Sequence, residues 1–459
     1  MHIKKFDSNY SRRQFMEKLA KGSMSAGVLT SLWPLIGHSA DITKAYPEEL
    51  LSIEAYTKGK IKVGDYLTVD NVEYVKDLLD PGVYIHVTQM GRRIKMVETT
   101  TDVTRMFPHE YLEATLSNQG KARWDAGGNV VTTEGKPWIG GNPFPEAKDG
   151  LEAFANLTLS WGRHNNSTYA IRDWDIGPDG DEQYQYDFVW SEQNTVALLG
   201  SEGPYWEGRE DKLRYQSISF FHPNDSRGTS FLSTWYYDQN KFPDLHGYLP
   251  AFKRVRRFPT NQRFEPLVPG MTLFLSDAWA AGDPMLTWGN YKVIGRQPML
   301  GAVSGNYPGK DNNREPQVHG GPKDQTFFDT SMELCPECIV IEAEPVGYPR
   351  APVSKKRIWL DTRNMMYTGY VTYDRRGELW KIFQPAYSHL EKGDQRIVDG
   401  AHTGWSWAFI HSHDLQANRM SRFAQVDSIG GGHESGYNLP REKVYNKYLT
   451  QQAMRRLGI

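Results

Sequence analysis

The stretch that most constrains the fold of this chain lies between residues 357 and 383. Three runs rich in β-branched and aromatic residues (357–361, 369–373 and 378–383) follow one another across gaps of seven and four residues. Asp374-Arg375-Arg376-Gly377 reads as a tight turn joining Tyr370-Val371-Thr372-Tyr373 to Glu378-Leu379-Trp380. Strands joined so closely are antiparallel neighbours, because parallel neighbours need a crossover of about a dozen residues or more. From about residue 167 onward the pattern is nearly all strand, with further runs at 184–199, 217–221, 230–237, 252–258, 291–294 and 338–344. No fixed period appears, which argues against a propeller. The expectation is a mainly β (α+β) fold built on one large curved antiparallel sheet. The 14 Trp, 25 Tyr and 19 Phe suit strands, and 42 Gly and 26 Pro suit many turns.

Helical signals are few and lie mostly in the first third. Asp70 can cap a helix carrying Val72, Val75 and Leu79 on one face, with Pro81 as its stop. Val83, Ile85 and Val87 then alternate, and after Met90-Gly91 Ile94 and Met96 alternate again, which predicts strand, turn and strand. Further helices are expected at 108–119, at 150–161 with Phe154, Leu157 and Trp161 on one face, and at 448–458. The polar segment 305–326 reads as a mobile loop.

The first forty residues read as an address, not as fold. Ser11-Arg12-Arg13-Gln14-Phe15 sits in a polar, basic stretch, an apolar run follows from Met24 to Ile36, and His38-Ser39-Ala40 ends it. Basic, apolar and small residues in that order make a signal peptide, and Arg12 and Arg13 before Phe15 resemble the twin-arginine type. Residues 1–40 are therefore expected to be removed, leaving 41–459 as one domain with insertions in the periplasm of a Gram-negative bacterium. No later apolar stretch approaches membrane-spanning length. A net charge of −2, from 53 basic and 55 acidic residues, gives no long-range field for nucleic acid.

Several segments together resemble a known family. They are VDNVEYVKDLLDPGV at 69–83, GNPFPEAKDGLEAFAN at 141–156, KRVRRF at 253–258, NYKVI at 290–294, KRIWLDTRNMMYTGYVTYDRRGELWKIF at 356–383, and the terminal helix. Their order and spacing are similar to the domain-of-unknown-function family thirteen twenty-nine, labelled outer-membrane lipoprotein-sorting-like. The resemblance implies the fold of the periplasmic lipoprotein carriers, a half-open antiparallel barrel with helices plugging the concave side. It implies a hollow for acyl chains, no reaction and no cofactor. It also implies partners, namely an exporter of the resistance-nodulation-division type and an outer-membrane barrel protein.

The residues that could carry function are then read against that fold. Alternate strand residues point inward, so Trp235, Tyr237, Trp359, Tyr370 and Trp380 are expected either to line a hollow or to fill a packed core. In Lys253-Arg254-Val255-Arg256-Arg257, Arg254 and Arg256 share a face; they belong either to an ion-paired structural strand or to a site that holds an anionic head group. Cys335-Pro336-Glu337-Cys338 precedes a strand, not a helix, so catalysis of the thioredoxin kind is not expected. A turn at Pro336 would let the two cysteines pair in an oxidising compartment; the alternative is two free thiols. His411 and His413 share a strand face and, with His433 or Glu434, could ligate a metal in an alternative reading as an exported enzyme. The runs 175–181 and 310–314 read as solvated turns. Overall the expectation is a non-enzymatic carrier or chaperone for a lipid or other hydrophobic ligand. The further alternative is an accessory subunit that docks and needs no pocket.

Overall fold

The computed structural model describes residues 40–310 and 315–458. The signal segment, with Arg12 and Arg13, lies outside the described residues apart from Ala40, as does most of the run 310–314.

Sixteen strands form one sheet. In chain order they are β1 (Tyr66–Leu67), β2 (Ile94–Met96), β3 (Asn166–Ile176), β4 (Glu182–Asn194), β5 (Lys212–His222), β6 (Ser230–Tyr236), β7 (Asp244–Leu249) and β8 (Arg254–Phe258). The rest are β9 (Gly289–Gly301), β10 (Ser331–Glu344), β11 (Val353–Asp361), β12 (Met366–Asp374), β13 (Leu379–His389), β14 (Trp405–Asp414), β15 (Arg419–Val426) and β16 (Gly436–Tyr437). Side by side they run β1-β2-β10-β11-β12-β13-β14-β15-β3-β4-β5-β6-β7-β8, with β9 also on β10 and β16 on β3. Every pairing is antiparallel except that of β2 with β10. The ends, β1 and β8, do not pair, so the sheet stays open. The expected turn closes β12 onto β13, with Gly377 N donating to Asp374 O at 2.9 Å.

Period-two alternation sends successive side chains to opposite faces, and each face buries its own core. Tyr169, Ile171, Phe188, Trp190 and Phe423 belong to one apolar cluster. Their neighbours Ala170, Val189 and Ala424 belong to another. Helix α3 (Gly150–Thr158) lays Phe154 and Leu157 on the first face, as its spacing implies. The second face takes the 3-10 turn Val72–Leu78, α1 (Pro81–Met90) and α4 (Arg441–Tyr448). Helix α2 (His109–Ser117) and the terminal α5 (Gln451–Leu457) also stand where the sequence places helices.

Two expectations fail. Pro81 does not stop a helix but starts one. The Asp80 carboxylate accepts from Gly82 N at 2.8 Å and Val83 N at 3.0 Å. Pro81 takes the first helical position, where a missing N–H costs nothing. Val83, Ile85 and Val87 are therefore helical, and Gly91 closes α1 at φ 66°. On either side of residues 311–314, which lie outside the described residues, the segment 305–326 is pinned. Asn306 Nδ2 donates to Ser304 O and Tyr387 O, and Val318–His319 pairs with Phe327–Phe328.

Candidate functional site: an apolar chamber under a strap

Residues 263–288 leave the sheet after β8 and cross its first face as an irregular strap. Buried charge holds it there. Arg263 Nε meets Asp283 Oδ1 at 2.7 Å and Lys381 Nζ meets Asp277 Oδ2 at 2.5 Å, all four side chains being nearly inaccessible. Lys356 Nζ donates to Ser276 O and Ala280 O at 3.1 Å each, and burial pushes its pKa down to about 8. Tyr370 Oη donates to Asp277 O at 2.9 Å, and Thr272 Oγ1 to Ser412 O at 2.8 Å. Between these anchors Trp279 (φ 51°) and Ala280 (φ 59°) adopt the left-handed conformation that costs ordinary residues about 1–3 kcal/mol.

Beneath the strap lies a chamber of ≈ 50 Å³ walled by Tyr169, Ile171, Phe188, Trp190, Tyr367 and Phe383 from the sheet, and by Leu273 and Trp279 from the strap. That volume suits one or two waters, against about 300 Å³ or more for an ordinary ligand pocket. The hollow expected from sequence is thus filled mainly by the chain's own aromatics.

One end of the chamber is polar. Trp190 Nε1 and Trp279 Nε1 both donate to Glu192 Oε2, at 3.1 and 3.3 Å. Glu192 is buried, and desolvation raises its pKa to about 7 against the opposing pull of Arg214. The register sets Glu192, Gln216 and Ser233 in one row across β4, β5 and β6, and Asn194, Arg214 and Trp235 in the next. Arg214 is fully buried, lies over the Trp161 ring at 4.4 Å and donates to Thr158 O at the end of α3. Burial lowers its pKa to about 9.

The residues singled out by sequence are placed as follows. Trp235, Tyr237, Trp359 and Tyr370 are buried and Trp380 is half-buried, but none of them walls the chamber. Tyr370 stacks on Phe383 at 5.0 Å and Trp380 lies 5.8 Å from Phe274, so these two support the strap. Arg254 and Arg256 do not reach the interior. They are exposed on β8, the edge strand, and Arg256 lies over Phe252 at 4.2 Å. Strand side chains project above and below the sheet, but little covers the faces of this edge strand, so Arg254 and Arg256 stand in solvent.

His411 and His413 do share a face, on the second side of the sheet, and both are buried. His413 Nδ1 lies 3.0 Å from His86 Nε2, and His411 Nε2 accepts from Phe328 N at 2.9 Å. His433 stacks on Phe221 at 3.8 Å and bonds Tyr448 Oη, while Glu434 is exposed. Among the described residues no group of three or more His, Cys, Asp or Glu is arranged to hold a metal ion.

Cys335 and Cys338 are free, buried thiols within hydrogen-bonding reach of each other. The pairing of β9 with β10 shifts between Gln297 and Met299, so a bulge at Pro336 and Glu337 turns both cysteines to the first face. Residues 177–181 form the β3–β4 turn as expected, whereas Asp175 is buried, accepts from Ser421 Oγ, and has its pKa raised by burial to about 7.

Sequence reading missed the strap and the buried Arg163, Glu192 and Arg214. Pro266, Pro269 and Pro284 punctuate the strap, and the polar residues on otherwise apolar strands were a visible anomaly.

An open, mostly antiparallel sheet with a strapped apolar chamber and buried charge at one end defines a β-rich architecture. The chain belongs to the family described as "Protein of unknown function (DUF1329)", which it matches over residues 66–455. Among solved structures it is similar to a domain from Vibrio parahaemolyticus named for outer-membrane lipoprotein sorting (17% identity, 67% of this chain and 98% of that one, TM-score 0.42). It is also similar to a DUF1329 family protein from Desulfovibrio piger (15% identity, 64% and 95%, TM-score 0.42). A LolA superfamily protein from Nitrosomonas europaea matches as well (13% identity, 62% and 96%, TM-score 0.33). No curated protein matches the chain. Among the described residues no helix is long and apolar enough to cross a membrane.

Proposed function

We propose that the mature chain, residues 41–459 as one domain, is a periplasmic, non-enzymatic carrier for a hydrophobic ligand that enters under the strap. The observation that carries this reading is the chamber itself, whose wall is almost wholly apolar side chains. Filling it with an acyl chain gains about 0.8 kcal/mol per methylene buried. At ≈ 50 Å³ it is far smaller than an acyl chain, so loading displaces Trp279 and the strained turn that holds it. Periplasmic location and export by the twin-arginine route are supported by Arg12, Arg13 and the apolar run after them. In that oxidising compartment Cys335 and Cys338 pair. The family resemblance supports an exporter of the resistance-nodulation-division type and an outer-membrane barrel as partners.

The small volume favours one second reading, an accessory subunit that docks and carries nothing. Native mass spectrometry of protein purified from the periplasm, followed by organic extraction, separates the two. A hydrophobic species released on extraction supports the carrier; a bare protein of intact fold overturns it in favour of docking.

A further inference from the structure

Among the described residues Arg163 stands apart from the other buried cations. Arg263 has Asp283, Arg363 has Asp361 and Glu333, and Lys381 has Asp277. Arg92, Arg214 and Arg422 each feel at least one carboxylate. The groups acting on Arg163 are the hydroxyls of Tyr111 and Tyr387, with no carboxylate among them. Its guanidinium is 1% exposed, lies over the rings of Phe107 and Tyr111 at 5.1 and 4.9 Å, and donates from Nη2 to Asn142 Oδ1 at 3.5 Å. Its Nε and Nη1 have no hydrogen-bond partner. A buried charge in that condition costs several kcal/mol unless a counter-charge arrives.

The backbone spends further energy to hold it there. Gly162 (φ 58°) and Arg163 (φ 64°) are both left-handed, and such strain in a non-glycine residue collects at functional sites. The turn also abuts the chamber. A Cβ at Gly162 would collide with Glu192 Oε1 and with Tyr169 Oη, and Tyr169 is a chamber wall. Tyr387 links the other way, its ring edge-on to that of Tyr367, another wall residue, with centroids 6.1 Å apart. Nearby Arg214 Nε and Nη1, Gln216 Nε2, Trp161 Nε1 and Trp235 Nε1 are also buried donors without a partner. Both arginines act on the one Tyr111 hydroxyl. Unpartnered oxygens lie at this end too, Glu192 Oε1 and Tyr169 Oη among them, but Glu192 is not among the groups acting on Arg163.

We propose that Arg163, assisted by Arg214, is the receptor for an anionic head group, so that the ligand is an acidic amphiphile with its chain in the chamber. The inference rests on the carrier reading and names the ligand class. Charged donors and a carboxylate or phosphate make the strong, short hydrogen bonds that a neutral ester cannot. The test uses the mature protein and three probes of one chain length: oleate, methyl oleate and oleyl phosphate, titrated by native mass spectrometry. Oleate, oleyl phosphate or both are expected to bind at least tenfold more tightly than methyl oleate, the better acid identifying the head group. In Arg163→Gln that preference falls below threefold while methyl oleate binding is unchanged. Equal binding of acids and ester by the unaltered protein overturns the head-group assignment and leaves the carrier intact. Failure of all three probes to bind overturns the carrier reading itself. Both of those outcomes come from the unaltered chain, so they stand even where the variant does not fold.

Discussion

Replacing Glu192 by Gln should abolish a defined part of the pH dependence of stability. The carboxyl is buried at the polar end of the chamber, and desolvation raises its pKa from 4.5 to about 7. One pH unit of pKa difference is worth about 1.4 kcal/mol, so holding this group ionised in the fold costs on the order of 3 kcal/mol. The direction follows from proton binding. Between pH 4.5 and about 7 the folded state keeps the proton while the unfolded state has lost it, so stability falls as pH rises through that window and is level above it. Gln is an isostere of the protonated acid, and its amide can still accept from Trp190 Nε1 and Trp279 Nε1 through its oxygen. Glu192→Gln should therefore differ little from the unaltered protein at pH 4.5 and be more stable by roughly 3 kcal/mol at pH 8. Urea denaturation followed by tryptophan fluorescence at the two pH values measures it. A stability difference that stays constant within about 0.5 kcal/mol across the window would refute the assignment of a proton to this carboxyl, and with it the account of the chamber's polar end.

Three further outcomes are expected. Lys381→Met leaves Asp277 buried without its partner and should lose about 3–5 kcal/mol, most of it recovered in Lys381→Met/Asp277→Asn, measured as a double-mutant cycle in urea. Trp279→Ala removes the strap's half-buried indole from the chamber roof; stability should drop by about 2–4 kcal/mol while binding of the neutral dye Nile red rises. Asp80→Ala deletes the cap of α1 and should cost about 1–2 kcal/mol with a small loss of helical circular dichroism; no change in either would contradict the helix start at Pro81.

The sheet was legible because its signal is local. The turn at residues 374–377 and the runs on either side of it need no distant partner to be recognised, and β4, β5, β6, β8, β11, β12 and β13 all contain residues read as strand. α1 was misread for a reason equally local. Alternation of Val83, Ile85 and Val87 competes with an N-cap followed by proline, and the cap signal prevails because Asp80 satisfies two amides that a strand would leave to other partners. β3 and β15 were not singled out: their buried polar residues, Asp173, Asp175, Ser421 and Arg422 among them, dilute an apolar period.

The chamber's polar end was illegible for the opposite reason, since nothing local brings it together. Arg163 comes from a loop after α3, Glu192 from β4, Arg214 from β5, Tyr111 from α2 and Tyr387 from β13. In the sequence each is an ordinary polar residue, and Arg254 and Arg256, clustered and basic, draw attention instead. Burial reverses that ranking. A guanidinium in water at an edge strand is fully solvated and implies no partner, whereas one held under aromatic rings without a counter-charge is a cost the fold carries. Charge therefore points to function here through its desolvation and not through its density. By the same reasoning, removing Arg163 should cost the empty protein little stability while removing the ligand's preference for an acidic head, whereas a residue that merely completed the core would do the reverse.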